Sequence, residues 1–291
     1  MVKERAVPDR CPACDVQPEA VPRPVRGVAL VRCTGCGLRW WDFAAVDAQA
    51  LYGEHYFRSA GDAGYDDYYA LRPGLERTSR MRLARIARRL GLRGTRVLDV
   101  GCGPGFFLAT ARATGWEVAG LELSEAACRF ARDELSIDVT QGTAEDTDLP
   151  AGRFDLITFW DVLEHLPDPR AALVNAARAL RPGGGLVLST GDVESLVARL
   201  SGERWHLYNF PEHFYFHTEA SVRRLLEGIG LRVRAARREA IVVSAAYALE
   251  RLTKSLLRGR ARMRVPLFDD VWLPINLRDV MTVYASRDRE A

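Results

Sequence analysis

Two cysteine pairs near the N-terminus have the spacing of a metal site. Cys11 and Cys14 form one CxxC pair, and Cys33 and Cys36 form a second. Each pair can direct two thiolate sulfurs at one tetrahedral ion, which is typical of a zinc ribbon. Four thiolates leave no open coordination position, so we expect structural zinc rather than a catalytic metal.

A glycine-rich turn interrupts the run RVLDVGCGPGFFL, from Arg96 to Leu108. The apolar residues before the turn predict a buried strand, and the turn itself lets a ligand approach the backbone amides at a helix N-terminus. Glu122 ends the next strand-like run, where a carboxylate can accept hydrogen bonds from ribose hydroxyls. The turn lacks the GxGxxG spacing that seats a pyrophosphate. These features together indicate a nucleoside ligand without phosphates.

Four stretches in this order resemble the motifs of class I S-adenosylmethionine-dependent methyltransferases. They are VLDVGCGPG, then Glu122, then FDLITFWDVLEHLPDP (Phe154 to Pro169), then LRPGGGLVLST (Leu180 to Thr190). The resemblance covers roughly residues 90 to 235. VLEHLPDP and the PEHFYF run (Pro211 to Phe216) are similar to the small-molecule branch that contains the ubiquinone-biosynthesis O-methyltransferases. The resemblance implies S-adenosylmethionine as the cofactor and a Rossmann-like methyltransferase fold.

The resemblance also assigns cofactor contacts to residues of this chain. Glu122 is expected at the ribose and Leu123 against the adenine. Relatives commonly read GDA after the third strand, whereas this chain reads GTAED, so the Ala144 amide or the carboxylate of Glu145 or Asp146 is expected near the adenine amino group. The residues expected around the methionine half are Asp99, Gly101, Cys102, Gly103 and Gly105, with Trp160 beside the methyl group.

The acceptor side is expected where the fourth strand ends, at Asp161. Methyl transfer is an in-line displacement at carbon, so alignment of the two reactants supplies much of the rate. A poorly acidic hydroxyl acceptor also needs a base, and four histidines follow strands four and five: His165, His206, His213 and His217. His165 and His213 are the preferred candidates because each lies in a motif shared with the small-molecule O-methyltransferases. Asp161, His165 and His213 are therefore the predicted catalytic residues.

Asp161, Glu164 and His165 also form a DxxEH pattern. Two carboxylates and an imidazole so placed could bind one divalent ion, and some ubiquinone-pathway relatives carry a comparable ExxEH. The alternative is that Glu164 and His165 are ordinary polar groups at a helix start. The second interpretation is favoured.

Regular alternation of strands and helices must position these residues. Such repetition predicts an α/β fold with a doubly wound, mostly parallel seven-stranded sheet, whose ligands bind at the carboxyl ends of the strands. The predicted strands cover 96–100, 116–121, a short strand from 139, 154–160, 185–190, 231–237 and 278–286, and Ser124 is predicted to cap a helix.

Three segments are expected along the 291 residues: a zinc ribbon at 1–45, a tyrosine-rich connector and helix at 46–90, and the methyltransferase domain at 91–291. Within the last, residues 240–277 are expected to form an insertion near the acceptor, as a lid or, alternatively, a peripheral membrane contact or dimer surface. The charged N-terminus has no apolar segment after it, so a cytoplasmic protein without a transmembrane segment is expected.

The sequence favours methyl transfer to a small-molecule hydroxyl, on a sugar, quinol or secondary metabolite. One alternative is an RNA methyltransferase in which the ribbon and Trp40, Trp41 and Phe43 contact bases, but docking of these aromatic residues onto the main domain is the preferred interpretation. A formal charge of +3 is also too small to indicate nucleic acid by itself. Sugar C-methyltransferases also begin with paired CxxC knuckles, although they are considerably longer. The acceptor and the oligomeric state cannot be predicted.

Overall fold

The computed structural model describes residues 7–53, 56–57, 67–93, 96–256 and 266–288. In this part of the chain the strands are β1 Pro18–Ala20, β2 Leu30–Cys33, β3 Arg39–Trp41, β4 Arg96–Val100, β5 Glu117–Glu122, β6 Val139–Gln141, β7 Phe154–Trp160, β8 Leu180–Gly191, β9 Tyr215–Phe216, β10 Leu231–Arg237, β11 Ile241–Ser244, β12 Trp272–Ile275 and β13 Val280–Arg287. The α-helices are α1 Ala48–Leu51, α2 Arg72–Leu90, α3 Phe106–Ala113, α4 Glu125–Leu135, α5 Pro169–Ala179, α6 Leu196–Ser201, α7 Glu219–Glu227 and α8 Ala245–Leu256.

Seven strands form the central sheet in the order β10-β13-β8-β7-β4-β5-β6. The five from β8 to β6 pair in parallel, and β13 is antiparallel to both of its neighbours. The predicted α/β fold and its mostly parallel seven-stranded sheet are therefore confirmed. The chain reverses its direction of winding beside β4, so the carboxyl ends of β4, β5 and β7 form the crevice in which ligands bind in such sheets.

Local sequence explains how these elements begin and end. Central strands β4 and β7 consist almost entirely of buried residues, because helices cover both faces of the sheet. Ser124 caps α4 as predicted, since its hydroxyl accepts a hydrogen bond from the Ala127 amide. β8 begins at Leu180 and is longer than the strand predicted at 185–190. The glycines that follow Leu180 continue the extended chain, which accounts for the additional residues.

The N-terminal segment shares a sheet with the rest of the chain. Strands β1, β2, β3 and β9 pair in that order, and β9 lies between β8 and β10 in sequence. Trp40 and Phe43 are 1% and 4% exposed, and Phe43 stacks on Phe214 with ring centroids 4.6 Å apart. The aromatic residues therefore dock onto the main domain, as preferred, and the burial of Trp40 and Phe43 leaves them no face for stacking on bases.

The segment expected as an insertion forms a small antiparallel hairpin, β11 with β12, joined through α8. Residues 257–265 of this segment lie outside the described residues. α2 packs closely against the hairpin at Gly74, where a Cβ atom would lie 2.9 Å from the Val242 carbonyl oxygen. The described helices include none that is both long and apolar enough to cross a membrane.

Candidate active site

A cavity of about 1460 Å³ opens at the carboxyl ends of the central strands. Its lining includes residues of the glycine turn and Glu122, and also Asp161, His165 and His213. The β11–β12 hairpin and connector residues such as Tyr52 form further walls. The space exceeds the 300–1,000 Å³ typical of a pocket for one small molecule, so it can hold two ligands side by side.

The glycine turn is held by the carboxylate of Glu122. One oxygen accepts a hydrogen bond from the Gly103 amide at 2.8 Å, and the other accepts one from the Ser124 amide, also at 2.8 Å. Burial raises the pKa of Glu122, while these backbone donors oppose the rise. Gly101 has φ +66°, and a Cβ atom there would lie 2.5 Å from Val162. The turn therefore requires glycine at this position, and its shape depends on Glu122.

Three residues expected around the methionine half lie behind the cavity lining: Asp99, Cys102 and Gly105. Asp99 accepts a 2.6 Å hydrogen bond from the Thr158 hydroxyl, and burial raises its pKa to about 7. Gly105 is the left-handed residue that begins α3. Their roles in this structure are to shape the strand end and the turn, whereas Gly101 and Gly103 line the cavity itself.

The expected adenine contacts line the cavity together. Leu123, Ala144 and Glu145 all border it, and Asn175 fixes this loop through a 3.0 Å hydrogen bond to the Ala144 carbonyl oxygen. Glu145 is already engaged, since its carboxylate accepts a bond from the Asp168 amide at 3.3 Å.

Trp160 and Asp161 occupy the end of β7, in the middle of the cavity wall. Asp161 has φ +57°, a left-handed conformation that costs energy for a residue with a side chain. Ser189 holds it there: the Asp161 amide donates to the Ser189 hydroxyl oxygen at 3.0 Å, and that hydroxyl donates to the Asp161 carboxylate at 2.8 Å. Arg82 of α2 lies 3.9 Å above the Trp160 ring and 3.6 Å from the second carboxylate oxygen of Asp161. Such strained, braced residues cluster at functional sites.

His165 and His213 face each other in the cavity, with ring centroids 4.6 Å apart. The Nδ1 of His213 lies 2.8 Å from the Leu207 carbonyl oxygen. A carbonyl can only accept, so Nδ1 carries the proton and Nε2 keeps a lone pair. Burial lowers the pKa of His213 to about 3 and that of His165 to about 4, so both rings are neutral at physiological pH. A neutral imidazole with a free lone pair can accept a proton.

Tyr52 reaches His165 from the connector. Its hydroxyl oxygen lies 2.6 Å from Nδ1 of His165, which is also 3.0 Å from the Glu212 carbonyl oxygen. These two contacts fix the orientation of the ring, and the carbonyl contact favours a proton on Nδ1.

Glu164 lies between the histidines and β8. It is 5% exposed and accepts a 2.9 Å hydrogen bond from the Thr190 hydroxyl. Burial, helped by the nearby charge of Asp161, raises its pKa to about 8, so it is mostly protonated at neutral pH. Glu164, His165 and His213 offer ligand atoms within 4.8 Å of one another. The group that could hold a divalent ion is therefore this trio, and the suggested DxxEH set is corrected because His213 takes the place of Asp161.

The other two histidines do not share this position. His206 lines the cavity, with its Nδ1 3.5 Å from the carboxylate of Asp279. His217 is fully buried, and its Nε2 has no hydrogen-bond partner among the described residues. Its side chain lies beneath the lining and not on it, because β9 turns it inward against Ser221.

The four N-terminal cysteines meet as their spacing predicts. Their sulfurs lie within 4.8 Å of one another, with Cys11 and Cys36 3.5 Å apart and Cys14 and Cys33 3.4 Å apart. Zinc–sulfur distances of about 2.3 Å imply sulfur separations of about 3.8 Å in a tetrahedral site. The donor set and its geometry therefore fit one zinc ion.

Sequence reasoning missed three participants in the site. Arg82 is one of several arginines on α2, and nothing in its spacing separates it from the others. Tyr52 is one of several tyrosines in the connector, and the sequence pattern does not link it to the histidines. The sequence presents Glu164 as a metal ligand or as an ordinary polar group at a helix start, whereas the structure buries it. A glutamate that follows a buried strand and an apolar residue could have suggested a buried carboxyl group.

Comparison with known proteins agrees with this geometry. A family model described as a methyltransferase domain matches residues 72–236. The chain is 40% identical over 116 residues to a ubiquinone biosynthesis O-methyltransferase of Aromatoleum aromaticum, a match that covers 38% of this chain and 50% of that protein. It is 34% identical over 163 residues to the protein of the same description in Thiobacillus denitrificans, covering 52% and 70% of the two chains. The chain thus spans only half the length of the first of these relatives.

Among solved structures, the YcgJ protein of Bacillus subtilis superimposes with a TM-score of 0.53 at 17% identity, over 73% of this chain and 100% of that one. This similarity bears on the fold alone. The family model, by contrast, matches more than half of the sequence and includes every central strand from β4 to β10. The chain therefore belongs to the methyltransferase domain family.

Proposed function

We propose that this protein binds S-adenosylmethionine and transfers its methyl group to a hydroxyl of a small-molecule acceptor. The observation that carries the proposal is that one cavity is lined both by a glycine turn fixed by Glu122 and by a neutral histidine pair. The ubiquinone O-methyltransferase relatives support the choice of a hydroxyl.

Glu122 and the turn form the cofactor end. The carboxylate uses both oxygens on backbone amides, yet each oxygen has further lone pairs that can accept from ribose hydroxyls. Leu123 and Ala144 offer apolar surface for the adenine, and the Gly101–Gly103 backbone accommodates the methionine portion. When bound, S-adenosylmethionine supplies a methyl group on a positively charged sulfonium.

The acceptor end aligns the nucleophile and removes its proton. His213 Nε2 can accept a hydrogen bond from the acceptor hydroxyl, which orients an oxygen lone pair toward the methyl carbon. The new carbon–oxygen bond forms as the carbon–sulfur bond breaks, and the hydroxyl proton passes to the imidazole. A base with a low pKa suffices for this step because the oxygen becomes far more acidic as it gains the methyl group. Asp161 provides negative charge close to the positive centre.

Replacing Glu122 by Ala should weaken S-adenosylmethionine binding at least about tenfold. The change removes the charge-assisted ribose contacts and frees the Gly103 amide, so the turn loses its brace. Calorimetric titration measures the dissociation constant. Glu125→Ala is the matched control, since Glu125 begins α4 on the exposed surface and pairs only with Arg129 among the ion pairs described. Equal affinity of the Glu122→Ala and native proteins would remove Glu122 from the site.

Turnover should show no inflection near the ordinary histidine pKa of about 6.5. Both histidines have lowered pKa values, to about 4 and about 3, so protonation stops them from acting as bases only as the pH falls through that range. Glu164, with a pKa of about 8, should ionise as the pH rises through that value and alter turnover there. The pH dependence of kcat at saturating cofactor measures this. A half-loss of kcat near pH 6.5 would contradict it.

We also propose that the four cysteines bind one structural zinc ion. All four thiolates are committed to the ion, so the site offers no position for a substrate. The ion would hold the ribbon, whose strand β3 pairs with β9 beside the cavity.

An RNA acceptor is disfavoured by the pairing of the basic residues. Three arginines of α2 meet carboxylates: Arg82 is near Asp161, and Arg85 and Arg89 are 3.4 and 3.2 Å from Glu239. Charge that is neutralised internally contributes little to phosphate binding. The proposed partner is therefore a small molecule.

A labelled-methyl screen tests the proposal. The protein is incubated with deuterated-methyl S-adenosylmethionine and separate phenol, catechol and sugar acceptors, and products are analysed by mass spectrometry and carbon NMR. A trideuteromethyl group on oxygen is expected in at least one class. A methyl group on carbon would instead favour the sugar C-methyltransferase alternative, and label found only in RNA would favour the nucleic-acid alternative.

A further inference from the structure

The segment that carries His213 is held between two parts of the molecule. On one side the Phe214 amide donates to the Glu164 carbonyl oxygen at 2.8 Å. On the other side lies the cysteine ribbon, whose β3 pairs with β9 directly after this segment. The cavity wall at His213 is therefore built by the ribbon as well as by the central sheet.

Trp41 makes the contact to His213 itself. Its indole Nε1 donates to the His213 carbonyl oxygen at 2.8 Å. The ring is fixed by edge contacts with Phe43 and Phe210, at centroid distances of 6.3 and 5.6 Å. The indole is half-buried and held by these two ring contacts, so its hydrogen bond can set the position of the backbone that it reaches.

That backbone position controls the imidazole. The Nδ1–H of His213 donates a hydrogen bond to the Leu207 carbonyl oxygen. The orientation of the ring therefore depends on both this bond and the position of the His213 Cα. A shift of the His213 backbone would break the 2.8 Å Nδ1 bond or rotate Nε2 away from the cavity. A second ribbon contact acts nearby, since the Thr218 hydroxyl donates to the Cys36 carbonyl oxygen at 2.6 Å.

We propose that Trp41 is a positioning residue for the acceptor side, and that through it the cysteine ribbon sets the orientation of His213. The proposal rests on the proposed function of His213. It assigns the ribbon a task beyond covering the core: from behind the cavity lining, its aromatic strand supports the segment that carries His213.

The test compares Trp41→Phe with Tyr208→Phe. Each change removes one hydrogen bond between β3 and the main domain, since Arg39 of β3 donates to the Tyr208 hydroxyl at 2.9 Å, but only the Trp41 bond reaches His213. A Trp41→benzothienylalanine variant keeps the shape of indole without its N–H and serves if Trp41→Phe folds poorly. Three quantities are measured: the slowly exchanging Nδ1–H resonance of His213 by proton–nitrogen NMR, kcat with catechol as the probe acceptor, and S-adenosylmethionine affinity.

For Trp41→Phe we expect loss of the Nδ1–H resonance and a fall in kcat of about tenfold, with cofactor affinity unchanged. Tyr208→Phe should keep the resonance and kcat. Retention of the resonance in both Trp41 variants, or its equal loss in Tyr208→Phe, would overturn the proposal. Loss of the resonance without a change in kcat would support the positioning by Trp41 and overturn the catalytic role of His213, so the two failures are distinguishable.

Discussion

Replacing His213 by Ala should lower turnover by about 10² to 10⁴ while leaving S-adenosylmethionine affinity nearly unchanged. The imidazole is the neutral group whose tautomer is fixed by the Leu207 carbonyl, and removing it takes away both the proton acceptor and the orientation of the nucleophile. The measurement is single-turnover transfer of labelled methyl at saturating cofactor. The loss should be smaller for a phenol-like acceptor than for an aliphatic hydroxyl, because the more acidic hydroxyl needs less help from a base.

His217→Ala is the matched control for this change. It removes the imidazole of the next histidine along the chain, which is fully buried and lies beneath the cavity lining. We expect it to lower thermal stability more than turnover. Equal turnover losses in the two variants would indicate damage to the segment rather than the removal of a base, and unchanged turnover in His213→Ala would leave a mechanism of alignment alone.

Changing Cys33 to Ser should abolish most of the zinc content and lower the melting temperature. Structural zinc contributes about 10 to 16 kcal/mol in small zinc modules, so its loss should destabilise the ribbon even though β3 pairs with β9. Cys33 is fully buried and its sulfur lies 3.4 Å from that of Cys14, so no solvent molecule can easily replace it. Loss of the ion would also loosen β3 and expose Trp40. Elemental analysis and thermal unfolding measure the two effects.

Cys128→Ser serves as the control for the zinc experiment. Cys128 is equally buried but lies on α4, outside the cluster, so its replacement should leave the native content of about one zinc ion per chain. Native protein that contains no zinc when prepared without chelator would contradict the assignment of the four cysteines.

The residues that we propose for the cofactor follow from local patterns. The glycine turn, the strand before it and Glu122 lie within 27 residues, from Arg96 to Glu122, and parallel pairing of β4 with β5 brings them together without further information. The strand positions followed in the same way, because buried parallel strands read as apolar runs between helices. The cysteine cluster could also be predicted from local sequence, since its four residues lie in two short motifs.

The acceptor end depended on tertiary contacts that no local pattern contains. Glu164 and His213 are far apart in sequence and meet because Phe214 bonds to the Glu164 carbonyl oxygen while β9 joins the ribbon sheet. A two-residue strand such as β9 has no period to detect. Arg82 contacts the Trp160 ring because α2 crosses above that residue. The sequence does not distinguish Arg82 from the other arginines of this helix.

We expect the cavity to orient the cofactor with its ribose at Glu122 and its sulfur toward Asp161 and His213. A crystal structure of the protein with S-adenosylhomocysteine would show this. We expect the ribose hydroxyls within hydrogen-bonding distance of the Glu122 carboxylate, and the sulfur facing the space in front of the two paired histidines. A ribose bound elsewhere, or a sulfur directed away from that space, would contradict the account.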